Sequence, residues 1–302
     1  MLRLYRLHPA YEVRDQNCLI ADLVDRIVDM YPTIEVIDSV ADRLHFTVDG
    51  YDCHIDECEM LVEFEDRIVG LTFLDGASKL LGLLQHRNNP NDLLAYAQPD
   101  NFCDQYNFKT VKCNYLLRWP TIDLHIYYNI RKNLDSFVDK LYFRGNYDTL
   151  PRKSIHTLLE PIHKGIFEGA WGLNPEPYFE EVAHHKIGLS IPGAGEMCYR
   201  DVEYMAIGIP MLRLEYESNF NPPLIPNHHY ISIDRPEGLS YKQEREGSPE
   251  LAKMYIERFM EVKDDIEFLQ FVSNNAREYY DTYLDKKVRI PHTLNLMEIP
   301  HG

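Results

Sequence analysis

No apolar run in the sequence approaches the roughly 18 to 20 residues of a membrane-spanning helix. The first residues, Met1-Leu2-Arg3-Leu4-Tyr5-Arg6-Leu7, lack the apolar stretch of a secretory leader. Positive charge is scarce: 31 Lys and Arg face 48 Asp and Glu, a net charge of −17. So acidic a chain excludes non-specific docking on nucleic acid or anionic lipid, since both need clustered Lys and Arg. It leaves room for an anionic small molecule only if a few arginines gather in one place. The six cysteines are scattered and form no small-protein disulfide framework, so reduced thiols in a cytoplasm are the expectation. Internal repeats and low-complexity tracts are absent as well.

What is present fits a globular protein: 45% hydrophobic and 26% charged residues over 302 positions, room for two domains of about 150 residues. Leu19 to Met30 carries apolar residues at spacings of 3 and 4 and predicts a helix. Short β-branched segments follow at 34–37, 44–48, 61–64 and 68–73. Leu44, Phe46 and Val48 alternate into Asp49-Gly50, a hairpin turn signal. A helix over 77–85 and strands at 93–97 and 122–127 complete the first half. From 141 the rhythm becomes β-α-β-α: strands at 141–143, 186–191, 211–214 and 230–233, with helices at 151–160, 177–184 and 196–207. Two more helices run from Pro249 to about Tyr283. That alternation predicts an α/β fold with a doubly wound parallel sheet. The reading divides the chain into 1–138, 139–268 and a helical tail, 269–302, that packs back on the N-terminal part.

The most informative stretch runs from Ile187 to Pro210. An apolar strand ends in Pro192-Gly193-Ala194-Gly195 and a helix begins at once. Glycines let backbone N–H groups approach an anion, and a helix N-terminus adds partial positive charge. In an open α/β sheet this point lies at the carboxyl ends of the strands, where ligands bind. Arg200 stands about one turn into the helix, in reach of a phosphate, and Glu203 lies on nearly the same face, able to accept from ribose hydroxyls. The bland reading keeps equal weight here: a glycine turn into a helix, with Arg200 and Glu203 an i,i+3 ion pair.

Further residues carry a resemblance. Glu203-Tyr-Met-Ala-Ile-Gly208-Ile-Pro210 is similar to the glutamate-to-Gly-x-Pro signature of the nucleotide-binding domain of GT-B glycosyltransferases. Tyr142-Phe143-Arg144-Gly145-Asn146, with Arg152 downstream, resembles the Phe-Arg-Gly-Ser segment and arginine of Rumi-type protein O-glucosyl- and O-xylosyltransferases, a family that includes capsule-associated xylosyltransferases. Tyr199-Arg200 matches that family's aromatic-arginine pair, and Pro226 to Ile233 its His-Tyr-Ile strand. The likeness covers about 140–283. It implies GT-B architecture, two Rossmann-like domains facing a central cleft. It also implies transfer of a sugar, xylose or glucose, from a UDP-sugar co-substrate to a hydroxyl of a glycan or glycoprotein, with no other cofactor. Compact forms without a leader are found in viruses and bacteria, which places a virus-encoded chain in the host cytoplasm.

The roles implied are as follows. Arg144 and Arg200 bind the diphosphate, Arg152 assists, and Gly145, Tyr199 and the Gly193-Ala194-Gly195 loop line the donor site. Glu203 holds ribose. Glu196 and Glu203 are seven apart, not the eight of many retaining enzymes, which fits inversion. An inverting transfer needs one carboxylate to take the acceptor's proton, and Asp75, ending a predicted strand before a helix, is the choice; its bland reading is a helix N-cap. The Asp-x-Asp metal motif of GT-A glycosyltransferases does not occur, so arginines rather than a metal carry the leaving-group charge. Cys53-His54 with Cys58 mimics a metal cluster but lacks a second ligand pair. His184-His185 and His228-His229 are expected to point apart. A nucleotide-sugar epimerase or phosphorylase of the same fold, and a silent nucleotide-sugar- or glycan-binding module, are the alternatives.

Overall fold

The computed structural model describes residues 2–7, 18–39, 43–55, 59–72, 79–96, 106–112, 123–143, 163–164, 175–192, 196–217, 220, 222–240, 243–244 and 247–299. The chain forms two units, Met1–Thr121 with Lys286–Gly302, and Ile122–Asp285.

In the first unit, strands β1 (Arg3–Leu7), β2 (Glu35–Ser39), β3 (Leu44–Val48), β4 (Tyr51–Ile55), β5 (Glu59–Glu63), β6 (Ile68–Thr72), β7 (Leu93–Tyr96) and β8 (Lys109–Lys112) accompany helices α1 (Cys18–Met30) and α2 (Lys79–Arg87). The main sheet has the order β2-β1-β5-β6-β7-β8. Only β5 runs against its neighbours; the other adjacent pairs are parallel. Strands β5 and β6 are buried almost throughout, as expected of central strands covered on both faces. α1 buries Leu23, Val24 and Ile27, the stripe its 3–4 spacing dictates. The β3–β4 hairpin turns through Asp49 (φ +50°) and Gly50 (φ +78°), both left-handed, the geometry of a two-residue turn that matches strand twist. Its inner face, with Leu44, Val48, Cys53 and Ile55, joins Leu80, Leu83 and Leu84 of α2 in one core. Leu4 and Tyr5 of β1 are buried too, so the N-terminal residues are a sheet strand. The terminal helix, Lys286–Leu296, packs with α1, and Glu298 just beyond it accepts from Lys109 at 2.9 Å and pairs with Arg67 at 3.3 Å.

The second unit holds α3 (His125–Lys132), β9 (Val138–Tyr142), β10 (His163–Lys164), α4 (Pro175–Ala183), β11 (His185–Leu189), α5 (Tyr199–Ile207), β12 (Met211–Leu214), β13 (Ile231–Ile233), α6 (Pro249–Val262) and α7 (Ile266–Tyr279), with a π-helical turn at Tyr280–Leu284. Its sheet, β10-β9-β11-β12-β13, is parallel throughout. The strands are short apolar runs, and Leu141, Ile187, Leu212 and Ile231 meet Tyr255 and Phe259 of α6 and Val272 of α7 in the core. Ser248 caps α6 by accepting from Leu251 N–H at 3.2 Å, with Pro249 at the first helical position; Asp265 caps α7 through Phe268 N–H at 3.0 Å.

One expected strand is a helix. The stretch 122–127 runs into α3, where Leu124, Tyr127 and Arg131 are buried three and four residues apart, a helical and not an alternating stripe. Because α3 packs with α4 and α5, and α7 with α5, both lie in the second unit. The chain therefore passes between units at 121/122 and 285/286, where the sequence reading set its divisions at 138/139 and 268/269.

Candidate functional site

In the second unit all five strands point the same way, so the ends of β9, β11, β12 and β13 share one edge of the sheet. Helix α5 starts at that edge. Its first turn follows Cys198, the N-cap residue in extended conformation, whose N–H donates to Asp201 Oδ2 at 2.9 Å. An aspartate at the third helical position holding the N-cap amide satisfies an end that a helix leaves open.

Close packing seats the helix. A Cβ at Gly188 of β11 would lie 2.5 Å from the Tyr204 ring, so the α5–β11 approach depends on glycine there. At its far end, α5 stops at Gly208 (φ +75°), a left-handed C-cap. Arg131 Nε donates to Gly208 O at 2.9 Å, Ser273 Oγ donates to the same oxygen at 2.5 Å, and Arg277 donates to Ala206 O. Two guanidiniums thus face the negative end of the helix dipole.

Arg200, on the first turn, is buried, and its guanidinium carbon sits 4.3 Å from the centre of the Phe143 ring. Phe143 directly follows β9 and precedes Arg144 in the chain. The two segments singled out by sequence, Tyr142-Phe143 and Tyr199-Arg200, therefore meet at the carboxyl edge of the sheet. Glu203, one turn along, does not stand as a simple ion-pair partner: its Oε2 accepts from Tyr178 Oη of α4 at 2.8 Å. Burial pushes the Glu203 carboxyl up to about 6, against the pull of the Tyr178 hydrogen bond and the Arg200 charge. Tyr178 is pushed well above its ordinary value, first by burial and then by the Glu203 charge, so it stays a neutral donor.

Sequence reasoning missed the polar network beneath this edge. Asp201 and Arg213 of β12 are fully buried and paired at 2.9 Å. Asp201 also accepts from Ser190 Oγ and from Tyr216 Oη at 3.1 Å, and the Arg213 guanidinium carbon lies over the Tyr216 ring, 3.2 Å from its centre. Glu196 is buried, accepts from Glu217 N–H and lies 3.6 Å from Arg235, which in turn pairs with buried Glu244 at 2.9 Å. Glu244 accepts from Tyr255 Oη at 2.6 Å. Two signals were present: an arginine inside the apolar run Met211-Leu-Arg-Leu214, which needs a buried partner, and an aspartate three residues after an N-cap.

Of the other candidates, Asp75, Arg144, Gly145, Arg152, Gly193, Ala194 and Gly195 lie outside the described residues, as does the helix expected at 151–160. Tyr199 opens α5. Cys53 faces the core and burial pushes its thiol up to about 12, while His54 sits on the other face, its ring 5.3 Å from that of His45 across the hairpin. Among the described residues no group of three or more His, Cys, Asp or Glu is placed to hold a metal ion. His184 and His185 each place Nδ1 2.7 Å from a carbonyl of α4, those of Glu180 and Glu181. His228 and His229 do not point apart: their rings meet edge to face at 4.6 Å. Among the described residues no helix is long and apolar enough to cross a membrane.

No protein-family model matches the sequence, and no curated protein matches it. Among solved structures the chain is similar to the pneumococcal O-GlcNAc transferase GtfA in complex with UDP and GlcNAc, with 10% identity over 86% of this chain and 70% of that one, at a TM-score of 0.33. It is also similar to a GtfA/B complex, with 11% identity over 85% of this chain and a TM-score of 0.34; the chain spans 65% of that chain's length.

Proposed function

We propose that the chain is a glycosyltransferase of GT-B type that takes its sugar from a nucleotide-sugar donor. The observation that carries this reading is the seat of Arg200: a buried guanidinium on the first turn of α5, laid on Phe143 where β9 ends. Three features support it. The sheet of the second unit is parallel, α5 begins at its carboxyl edge, and Phe143 and Arg200, from two segments resembling the Rumi-type family, meet there. A diphosphate there would receive a helix N-terminus and a guanidinium with no reorganisation of the helix.

In this reading Arg200 and Arg144 hold the diphosphate, with Arg152 assisting and the Gly193–Gly195 loop and Gly145 approaching it through backbone amides. Glu203 takes the ribose. The acceptor hydroxyl, from a glycan or glycoprotein, attacks the anomeric carbon as the bond to the diphosphate oxygen breaks. Asp75 takes the hydroxyl proton, and the arginines carry the charge that develops on the departing UDP. Attack opposite the leaving group inverts the anomeric carbon. Xylose or glucose is the proposed sugar, and no metal is assigned a role.

Calorimetric titration with UDP tests the core of the reading. Wild-type chain is expected to bind UDP, and Arg200→Ala to weaken it roughly 10- to 100-fold, the worth of a charge-assisted contact of about 1.5–3 kcal/mol. Absence of binding, or unchanged affinity in the variant, would remove the proposal. UDP release from UDP-xylose, UDP-glucose, UDP-galactose and their N-acetyl relatives then identifies the donor. Consumption of donor indifferent to acceptor would point to an epimerase instead.

A further inference from the structure

We propose that Tyr178 of α4 is a positioning residue that aims the Glu203 carboxylate at a ribose, and thereby makes the site prefer a ribonucleotide to its 2′-deoxy counterpart. The inference rests on the nucleotide-sugar reading above. It concerns a residue on a separate helix from the phosphate-facing turn.

Glu203 is half-buried, and its two carboxylate oxygens are in different situations. Oε2 accepts from Tyr178 Oη at 2.8 Å. Among the described residues Oε1 has no hydrogen-bond partner. A carboxylate fixed through one oxygen presents the other, with its lone pairs, in a set direction, the arrangement suited to accepting from a sugar hydroxyl. Tyr178 is itself held: its ring packs at 4.9 Å from Phe179 and 6.3 Å from Tyr142 of β9, so its hydroxyl is not free to wander. Raised well above its ordinary range, that hydroxyl keeps its proton and acts on Glu203 only as a donor.

Several groups set the charge state of the carboxyl. From α4 comes the Tyr178 hydroxyl, from α5 Arg200, Asp201 and Tyr204, and from β9 the Tyr142 ring, which packs behind Tyr178. Burial raises the carboxyl, Asp201 adds to the rise, and Tyr178 and Arg200 oppose it. Loss of the Tyr178 hydroxyl therefore does two things at once. It frees the carboxylate to rotate, and it moves its titration upward, so that less of it is ionised at neutral pH.

The experiment measures affinity for UDP and for 2′-deoxy-UDP from pH 5 to 8 on the full chain, wild type and Tyr178→Phe. The ratio of the two affinities is the readout, because the titration of the shared diphosphate cancels in it. Wild type is expected to prefer UDP by about tenfold at pH 8, one charged hydrogen bond's worth, with the preference fading as pH falls through about 6. In Tyr178→Phe the preference shrinks and its midpoint moves to higher pH. An unchanged ratio and midpoint would overturn the proposal. Should Tyr178→Phe fail to fold, Glu203→Gln provides a second reading: its ratio is expected to be small and flat with pH, and full pH-dependent preference in that variant would equally overturn it. Wild-type chain that binds both nucleotides alike defeats this inference and leaves the functional reading standing. Failure to bind either defeats the functional reading itself.

Discussion

The buried Asp201–Arg213 pair allows a prediction whose sign runs against the usual expectation that the two halves of an ion pair are equally costly to lose. Among the described residues the ion pairs of this cluster join three carboxylates, Asp201, Glu196 and Glu244, with two guanidiniums, Arg213 and Arg235. Arg213→Met keeps the volume and leaves three buried carboxylates around one cation. Two opposite charges about 4 Å apart interact by about 4 kcal/mol at an effective dielectric of 20, and breaking a buried pair from one side costs about 3–5 kcal/mol. Asp201→Asn instead leaves one negative charge fewer and a balanced cluster. Its side-chain oxygen still accepts from Cys198 N–H, Arg213 and Tyr216, and its amide donates to Ser190 Oγ. What is lost is the charged character of those bonds, about 1–2 kcal/mol. The variant Arg213→Met is thus expected to be the more destabilised, and the double variant less so than the sum of the two.

The pH dependence separates this account from a simple packing defect. Burial already raises Glu244 above its ordinary value, and the Arg213 charge opposes that rise. Without Arg213 the carboxyl rises further. A carboxyl whose folded value exceeds its unfolded one costs stability when ionised and regains it as pH falls through the folded value. The Arg213→Met deficit should therefore shrink between neutral pH and pH 5. Denaturant titration of the full chain, with hydrogen exchange of peptides covering 185–217, measures both. An Asp201→Asn deficit equal to or larger than that of Arg213→Met, or an Arg213→Met deficit that grows on acidification, would refute the reasoning.

Two further predictions concern the same unit. Gly188→Ala should lower stability by about 1–3 kcal/mol, since a Cβ 2.5 Å from the Tyr204 ring forces α5 away from β11, and the loss should appear as faster exchange in α5. His229, packed against His228 and Tyr279 with Nδ1 accepting from Ile225 N–H, is pushed down by burial to about 4. A histidine so depressed stabilises the fold fully above its unfolded value of about 6.5, and that contribution drains away as pH falls toward 4. His229→Asn should accordingly flatten the loss of thermal stability across that window.

How much of this was legible follows from the kind of signal involved. The hairpin at Asp49-Gly50, the strands at 186–191 and 211–214 and the α5 helix rest on period and turn chemistry, which are local, and they appear where the residues predict them. The segment at 122–127 failed for a local reason too: Ile122, Leu124 and Ile126 alternate, but the burial that decides comes from Leu124, Tyr127 and Arg131, which face α4 and α5. Arg200 is expected about one turn into a helix that starts at 196, and it stands instead at the second position of α5, which opens at Tyr199. Its neighbour Phe143 belongs to another motif, and nothing in either segment says that they touch. Likewise Tyr178 is one tyrosine among 21, and only the packing of α4 picks it out. Buried polar networks are chosen by tertiary contacts, so Glu196, Arg235 and Glu244 carry no local trace of one another.

The clamp on the far end of α5 has a dynamic consequence. Arg131 comes from α3 and Ser273 and Arg277 from α7, and all three hold carbonyls at Ala206 and Gly208. Releasing that turn would require α3 and α7 to let go together, and the opening turn is anchored in its own way, through the Asp201 carboxylate to Arg213, Ser190 and Tyr216. The helix is therefore pinned at both ends, by its backbone carbonyls at the C-terminal turn and by one buried carboxylate at the N-terminal turn. Held so, the helix keeps its place as a single body, a fixed post for the Arg200 and Glu203 side chains that stand on it.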